Sequence, residues 1–226
     1  MNRLLWPLTC LLAFTACQSD PKTSPVAAPA VPAVTTAPAV RKNIVFFGNS
    51  LTAAYQLSPE QGFVAIIQRR IDSLQLPYRC VNAGISGETT ADGKSRIGWV
   101  LQQPVDIFVL ELGGNDALRG LPVAQSRANL QAIVDSVQQR YPNCQLVVAG
   151  MLAPPNLGAN YTGAFQTMYS DLARRNRAAL IPFLLENVGG MAALNLEDGI
   201  HPNVAGQKIV AENVWRVLQP LLKMGG

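Results

Sequence analysis

The sequence predicts an α/β domain, a three-layer α/β/α sandwich around a five-stranded parallel sheet of order 2-1-3-4-5. Three observations predict it. From residue 43 onward, short apolar runs alternate with segments of helical spacing, the pattern of parallel strands joined by crossover helices. The runs are nearly continuous in apolar residues rather than alternating, as in strands covered on both faces. The polar residues with chemical potential fall directly after these runs, and in such sheets active groups collect at the carboxyl ends of the strands. Right-handed crossovers then give the strand order.

Each element has its own warrant. Ile44-Val45-Phe46-Phe47 is an apolar run closed by Gly48 and reads as the first strand. Residues 59–74 carry Phe63, Ile66, Ile67 and Ile71 at helical spacing. Residues 78–82 form the second strand, and 91–102 a helix carrying Ile97, Val100 and Leu101. The third strand, 105–112, is nearly continuous in apolar residues. A helix over 123–139 stops before Pro142. The fourth strand covers 145–149, a helix 164–177 and the fifth strand 180–184. Asn203 is suited to cap a last helix that runs to about Leu218.

The segment before the domain reads differently. Met1-Asn2-Arg3 is a short positive region, and 4–14 is mostly apolar but too short to span a bilayer. Phe14-Thr15-Ala16-Cys17 has the form of a bacterial lipobox, with Phe14 in place of the usual Leu. Residues 1–16 are therefore expected to be a signal peptide and Cys17 a lipidation site. Residues 17–42 are an Ala/Pro-rich linker, with prolines at 21, 25, 29, 32 and 38, a composition that favours extended chain over packing. Residues 43–226 are the folded domain. An exported lipoprotein of the cell envelope follows, in the periplasm or at the outer membrane, held to the membrane by its anchor.

Composition sets further bounds. Hydrophobic residues are 49% of the 226, enough for a sizeable core, and the net charge is only +4. There is no basic run, so no nucleic-acid partner is expected. Cys80 and Cys144 lie on strands three positions apart in the expected order, roughly 14 Å at about 4.8 Å per strand. That exceeds disulfide reach, and both are expected to be buried and unpaired.

The chain has one histidine, His201, in Asp198-Gly199-Ile200-His201-Pro202. Histidine is the side chain best suited to move protons near neutral pH, and an acid three residues earlier can fix its tautomer. Ser50, in Gly48-Asn49-Ser50-Leu51 after the first strand, is a candidate nucleophile. Taken singly, Ser50 also suits a helix cap, Asn115 a turn, and Asp198 an Asp-Gly turn. A single histidine rules out a His-rich metal centre, and neither metal nor cofactor is expected. Gly-x-Ser-x-Gly does not surround Ser50, which argues against a nucleophile elbow.

Four blocks in order resemble the SGNH or GDSL hydrolase family: Gly48-Asn49-Ser50-Leu51, Ser86-Gly87, Gly113-Gly114-Asn115-Asp116, and Asp198-Gly199-Ile200-His201-Pro202. The resemblance covers 43–222. Glu111-Leu112-Gly113-Gly114-Asn115-Asp116 and Leu118-Arg119-Gly120 are similar to a branch of periplasmic multifunctional acyl thioesterases, lysophospholipases and arylesterases. It implies the family's flavodoxin-like fold, with Ser50 as nucleophile, His201 as base and Asp198 as its partner. It also implies an oxyanion hole from the N–H groups of Ser50 and Gly87 and the amide of Asn115. The substrate would be a small-molecule acyl ester or thioester, and the protein a monomer. A carbohydrate O-acetylesterase on the same fold, or a non-catalytic acyl- or glycan-binding lipoprotein, are the alternatives.

Asn49 departs from the family, which has Asp there. It removes no triad member but loses a charge near the nucleophile. Activity is expected to rise with pH through one proton loss at His201, with a midpoint of roughly pH 6–7.5. Asn49→Asp is expected to raise that midpoint slightly if the side chain lies near the triad. The loops 118–122 and 151–161, rich in Leu, Pro, Gly and Ala, would flank the cleft and suit either an acyl chain or ordinary loop packing.

Overall fold

The computed structural model describes residues 41–223. The expected signal peptide, Cys17 and nearly all of the linker lie outside the described residues. Five parallel strands form one sheet of order β2-β1-β3-β4-β5: β1 (Lys42–Gly48), β2 (Tyr78–Gly84), β3 (Ile107–Glu111), β4 (Gln145–Ala149) and β5 (Ala179–Ile181). The helices are α1 (Phe63–Ser73), α2 (Thr90–Val100), α3 (Gly114–Leu118), α4 (Val123–Arg140), α5 (Ala159–Arg175) and α6 (Val204–Leu218). Helices α1 and α6 pack together, while α4 packs against α2 and α5. Right-handed crossovers put these two groups on opposite faces, giving the three layers.

The covering on both faces explains the strand composition. Ile44, Val45, Phe46 and Phe47 are successive residues pointing to alternate faces, and all are buried. Phe46 meets Phe63 of α1 edge-on, and Phe47 packs on Phe108 of β3. The buried Gln207 of α6 accepts from the Phe63 N–H at 2.9 Å. That satisfies one of the unpaired donors at the start of α1. Asn203 caps α6, its side chain accepting from the Ala205 and Gly206 N–H groups.

Several elements differ from the sequence reading, and three of them have a local cause. The fifth strand stops at Ile181 rather than reaching 184, because Pro182 has no N–H to donate to a ladder. The chain instead turns, with Leu184 N–H donating to Gly150 O at 2.9 Å. Helix α5 starts at Ala159, five residues before the expected start, through Asn160, Thr162 and Gly163, which read as loop residues. Helix α3 has no counterpart among the elements expected from the sequence. Gly113 opens it at φ 114°, where an added side chain would strike the Tyr169 hydroxyl.

Cys80 and Cys144 are unpaired, and the register places Cys80 beside Ile44, Ile44 beside Ile107 and Ile107 beside Gln145. Both are only partly buried, not fully as expected. Burial still pushes each thiol up to about 12, so neither is a nucleophile at neutral pH.

Candidate active site

The parallel register aligns the carboxyl ends of three strands. Gly48 of β1 lies opposite Gly84 of β2 and Glu111 of β3. The loops that follow carry Ser50, Gly87 and Asn115 to one opening, and the loop before α6 brings His201 there from the far end of the chain. All four line one cleft of about 700 Å³.

Ser50 and His201 are 151 residues apart, yet Ser50 Oγ lies 2.8 Å from His201 Nε2. His201 Nδ1 lies 2.6 Å from Asp198 Oδ2. The loop that holds them is tied at both ends: Asn195 bridges Pro202, and Leu196 N–H donates to His201 O at 2.7 Å. Asp198 Oδ1 accepts from the Ile200 and His201 N–H groups at 2.9 and 3.0 Å. One carboxylate oxygen therefore shapes the turn while the other holds the ring. With Nδ1–H donating to Asp198, Nε2 is the acceptor for the serine hydroxyl. This arrangement can withdraw a proton from Ser50 and return it to a leaving group.

Burial alone pushes the Asp198 carboxyl up. The His201 backbone N–H, the His201 ring and the Ile200 N–H outweigh it, and the carboxyl falls to about 2. Asp198 is thus ionised wherever the histidine works. Its contribution to stability is present above the ordinary value of about 3.9 and is lost as pH falls through about 2.

Tyr55 was not singled out in the sequence, and nothing local marks it. Its ring packs on His201 with centroids 4.5 Å apart. The neighbours Ala54 and Gln56 both have φ of 58°, a left-handed conformation that costs non-glycine residues energy. The strained turn after Ser50 thereby presents the tyrosine to the imidazole.

Gly87 has φ of 84°, and space around its Cα is open. The left-handed backbone, not crowding, calls for glycine there. Asn115, in α3, donates one amide hydrogen to Glu88 O at 2.8 Å, which leaves the other for the cleft. Leu118 and 151–155, from the two loops expected to flank the cleft, line it. Phe183, Leu185, Gly189 and Gly190 line it as well. They were missed because they follow a strand that ends earlier than its sequence suggests.

Beneath Ser50 lies a buried polar cluster. Glu111, at the end of β3, is 1% exposed. It accepts from Asn49 N–H at 3.1 Å, Asn49 Nδ2 at 2.8 Å and Thr52 Oγ1 at 2.8 Å. Asn49 Oδ1 in turn accepts from Leu51 N–H at 3.0 Å. An added side chain at Gly48 would overlap both Thr52 and the Glu111 carboxylate, so the glycine makes room for the acid. The amide nitrogen at 49 faces Glu111, while Oδ1 lies 3.4 Å from Ser50 Oγ. An Asp there would set two carboxylates against each other and require a shared proton, whereas the amide donates without one.

Burial pushes the Glu111 carboxyl up to about 7, against the hydrogen bonds from Thr52 and Asn49 that pull it down. A raised carboxyl stabilises the fold fully below its ordinary value, and the contribution is lost as pH rises through the folded value. Wild-type protein is therefore expected to lose thermal stability relative to Glu111→Gln as pH rises from about 4.5 to 7. Melting curves across that range check it, and a constant difference between the two proteins contradicts it.

Comparison with known proteins places the chain. Residues 46–209 match the GDSL-like lipase/acylhydrolase family. The chain is 40% identical to the esterase TesA of Pseudomonas aeruginosa over 188 residues, 83% of this chain and 92% of that protein. It is 34% identical to thioesterase 1/protease 1/lysophospholipase L1 of Escherichia coli over 185 residues, 81% of this chain and 86% of that one. The structure of the psychrotrophic esterase EstA from Pseudoalteromonas sp., inhibited by monoethylphosphonate, superposes with a TM-score of 0.75 at 31% identity, covering 80% of this chain and 98% of that one. The match over most of the domain, and relatives of this identity and coverage, make the chain a member of the GDSL-like lipase/acylhydrolase family, a serine hydrolase acting on ester bonds.

Proposed function

We propose that Ser50, His201 and Asp198 form the catalytic triad of an esterase and thioesterase whose range includes lysophospholipids and aryl esters. The observation that carries this is the unbroken chain from Ser50 Oγ to His201 to Asp198, at 2.8 and 2.6 Å, opening on the cleft. Ser50 Oγ attacks the acyl carbonyl carbon as His201 Nε2 takes its proton. The resulting oxyanion is held by the N–H groups of Ser50 and Gly87 and by Asn115 Nδ2. The intermediate collapses, and His201 gives its proton to the departing alcohol or thiol. Water, deprotonated by His201, then releases the acid and restores the serine. Asp198 holds the imidazole in the working tautomer throughout.

The cleft supports an acyl chain over an acetyl group as the part recognised. About 700 Å³ far exceeds what two carbons fill, and the walls are Leu118, Met151, Leu152, Pro154 and Phe183. A panel of nitrophenyl esters from acetyl to palmitoyl, with acyl-CoA and lysophospholipid, tests this. Rising kcat/KM beyond acetyl is expected. A strict preference for acetyl esters favours the O-acetylesterase alternative.

The same reading includes a monomer, since one chain supplies every residue of the site. It also includes export to the cell envelope as a lipoprotein anchored through Cys17, supported by the positive, apolar and small-residue pattern of 1–17. Cells grown with a clickable fatty acid are expected to label the protein, and Cys17→Ser to abolish the label. Labelling that persists in the variant contradicts the anchor.

A further inference from the structure

We infer that the part-buried Arg96–Glu88 ion pair is the positioning element that holds the donors of the oxyanion site in register; this rests on the oxyanion reading of Gly87 and Asn115 above. Arg96 Nε lies 2.6 and 2.7 Å from the two Glu88 carboxylate oxygens. The side chains are 14% and 11% exposed, and the guanidinium sits 4.1 Å over the Phe47 ring. Removing one partner of such a poorly solvated pair leaves an uncompensated charge, so its geometry is costly to disturb.

The task is visible in what the pair touches. Arg96 Nη2 donates to Ala83 O at 2.9 Å and Gly48 O at 3.2 Å. These carbonyls end β2 and β1, and Gly48 is two residues before Ser50. Gly48 O also accepts from Ile85 N–H at 3.0 Å, which starts the turn that carries Gly87. Glu88 closes that turn. Its carboxylate is fixed by Arg96, and its carbonyl accepts from Asn115 Nδ2. Arg119 Nη2 donates to Gly87 O at 2.9 Å, so the Gly87 peptide is held from the other side. The Ser50 and Gly87 donors follow β1 and β2 and the Asn115 donor lies in α3; the pair bonds to Gly48 two residues before Ser50, ends the turn that carries Gly87, and accepts from Asn115 itself. Arginine uses Nε for Glu88 and Nη2 for the two carbonyls, and a lysine, with a single nitrogen, does not reproduce that planar fork.

Loosening this frame by a fraction of an ångström should weaken a state that exists only after attack, leaving substrate binding alone. The test compares Arg96→Lys, and the charge-neutral pair Arg96→Met/Glu88→Gln, with wild type on nitrophenyl butyrate. Melting curves establish that each is folded. Expected is a fall in kcat of up to about 10²-fold, larger for the neutral pair, with KM nearly unchanged. Built on Asn115→Ala, the neutral pair should cost a smaller factor than on wild type, because one of the donors it positions is already gone. Wild-type kcat in folded Arg96→Lys, a rise in KM alone, or full additivity with Asn115→Ala overturns the positioning role. If the neutral pair does not fold, Arg96→Lys and its combination with Asn115→Ala decide the matter by the same criteria. Wild-type kcat in Asn115→Ala itself overturns the oxyanion reading beneath it, and is thereby distinguished from failure of the ion pair alone.

Discussion

Ser50→Ala is expected to lose on the order of 10⁴-fold or more in kcat while remaining folded. Among the described residues, Ser50 supplies the hydroxyl that is hydrogen-bonded to His201 Nε2, and that bond is what activates it. The structural cost of its removal is small. Ser50 Oγ makes one good hydrogen bond, to His201 Nε2, and a long contact of 3.4 Å to Asn49 Oδ1. The freed imidazole nitrogen opens on the cleft, where water can satisfy it. Wild-type turnover in a folded Ser50→Ala protein contradicts the assignment of the nucleophile.

The second large effect concerns Asn115. Its amide is assigned to the oxyanion, a charge that develops only as the serine attacks. Losing one such donor costs about 10²–10³ in rate. Asn115→Ala is expected to lower kcat by that factor with KM little changed. The variant also releases Glu88 O, one ordinary hydrogen bond worth about 1 kcal/mol to the fold, so the loss of rate should far exceed any loss of stability. Steady-state kinetics beside a melting curve separate the two. A rise in KM with kcat intact would make Asn115 a substrate-binding residue instead.

Much of this was legible in the sequence because it is local. Strands covered on both faces write themselves as apolar runs, and 44–47 and 107–110 leave little choice. The four blocks are short motifs at strand ends, and a single histidine leaves one candidate base. What was not legible depends on contacts between distant residues. Nothing near Arg96 says that it will lie under Gly48, Ala83 and Glu88, each from a different segment. Tyr55 reads as one more aromatic until the turn around it places it on His201. Asn49 reads as a lost charge near the nucleophile, and its Oδ1 does lie 3.4 Å from Ser50 Oγ, but nothing local shows that its amide is held by Glu111, 62 residues away. The boundary errors have the same root. Gly163 and Thr162 weigh against a helix locally, yet Tyr161 OH reaches Leu121 O at 2.7 Å and Phe165 is buried in the core, and that packing carries α5 back to Ala159. Pro182 is the exception, since its missing N–H was in plain sight and should have ended the fifth strand one residue before it.

The most direct measurement of the central reading is mass spectrometry of the protein after reaction with a fluorophosphonate. Such a reagent is attacked only by an activated hydroxyl and leaves a stable tetrahedral adduct in the geometry of the oxyanion intermediate. The expected result is one adduct per chain, mapped by peptide sequencing to Ser50, absent in Ser50→Ala and strongly slowed in His201→Ala, with hydrolysis lost in step. Full esterase activity in protein carrying no adduct, or an adduct at any residue other than Ser50 that abolishes activity, would contradict it.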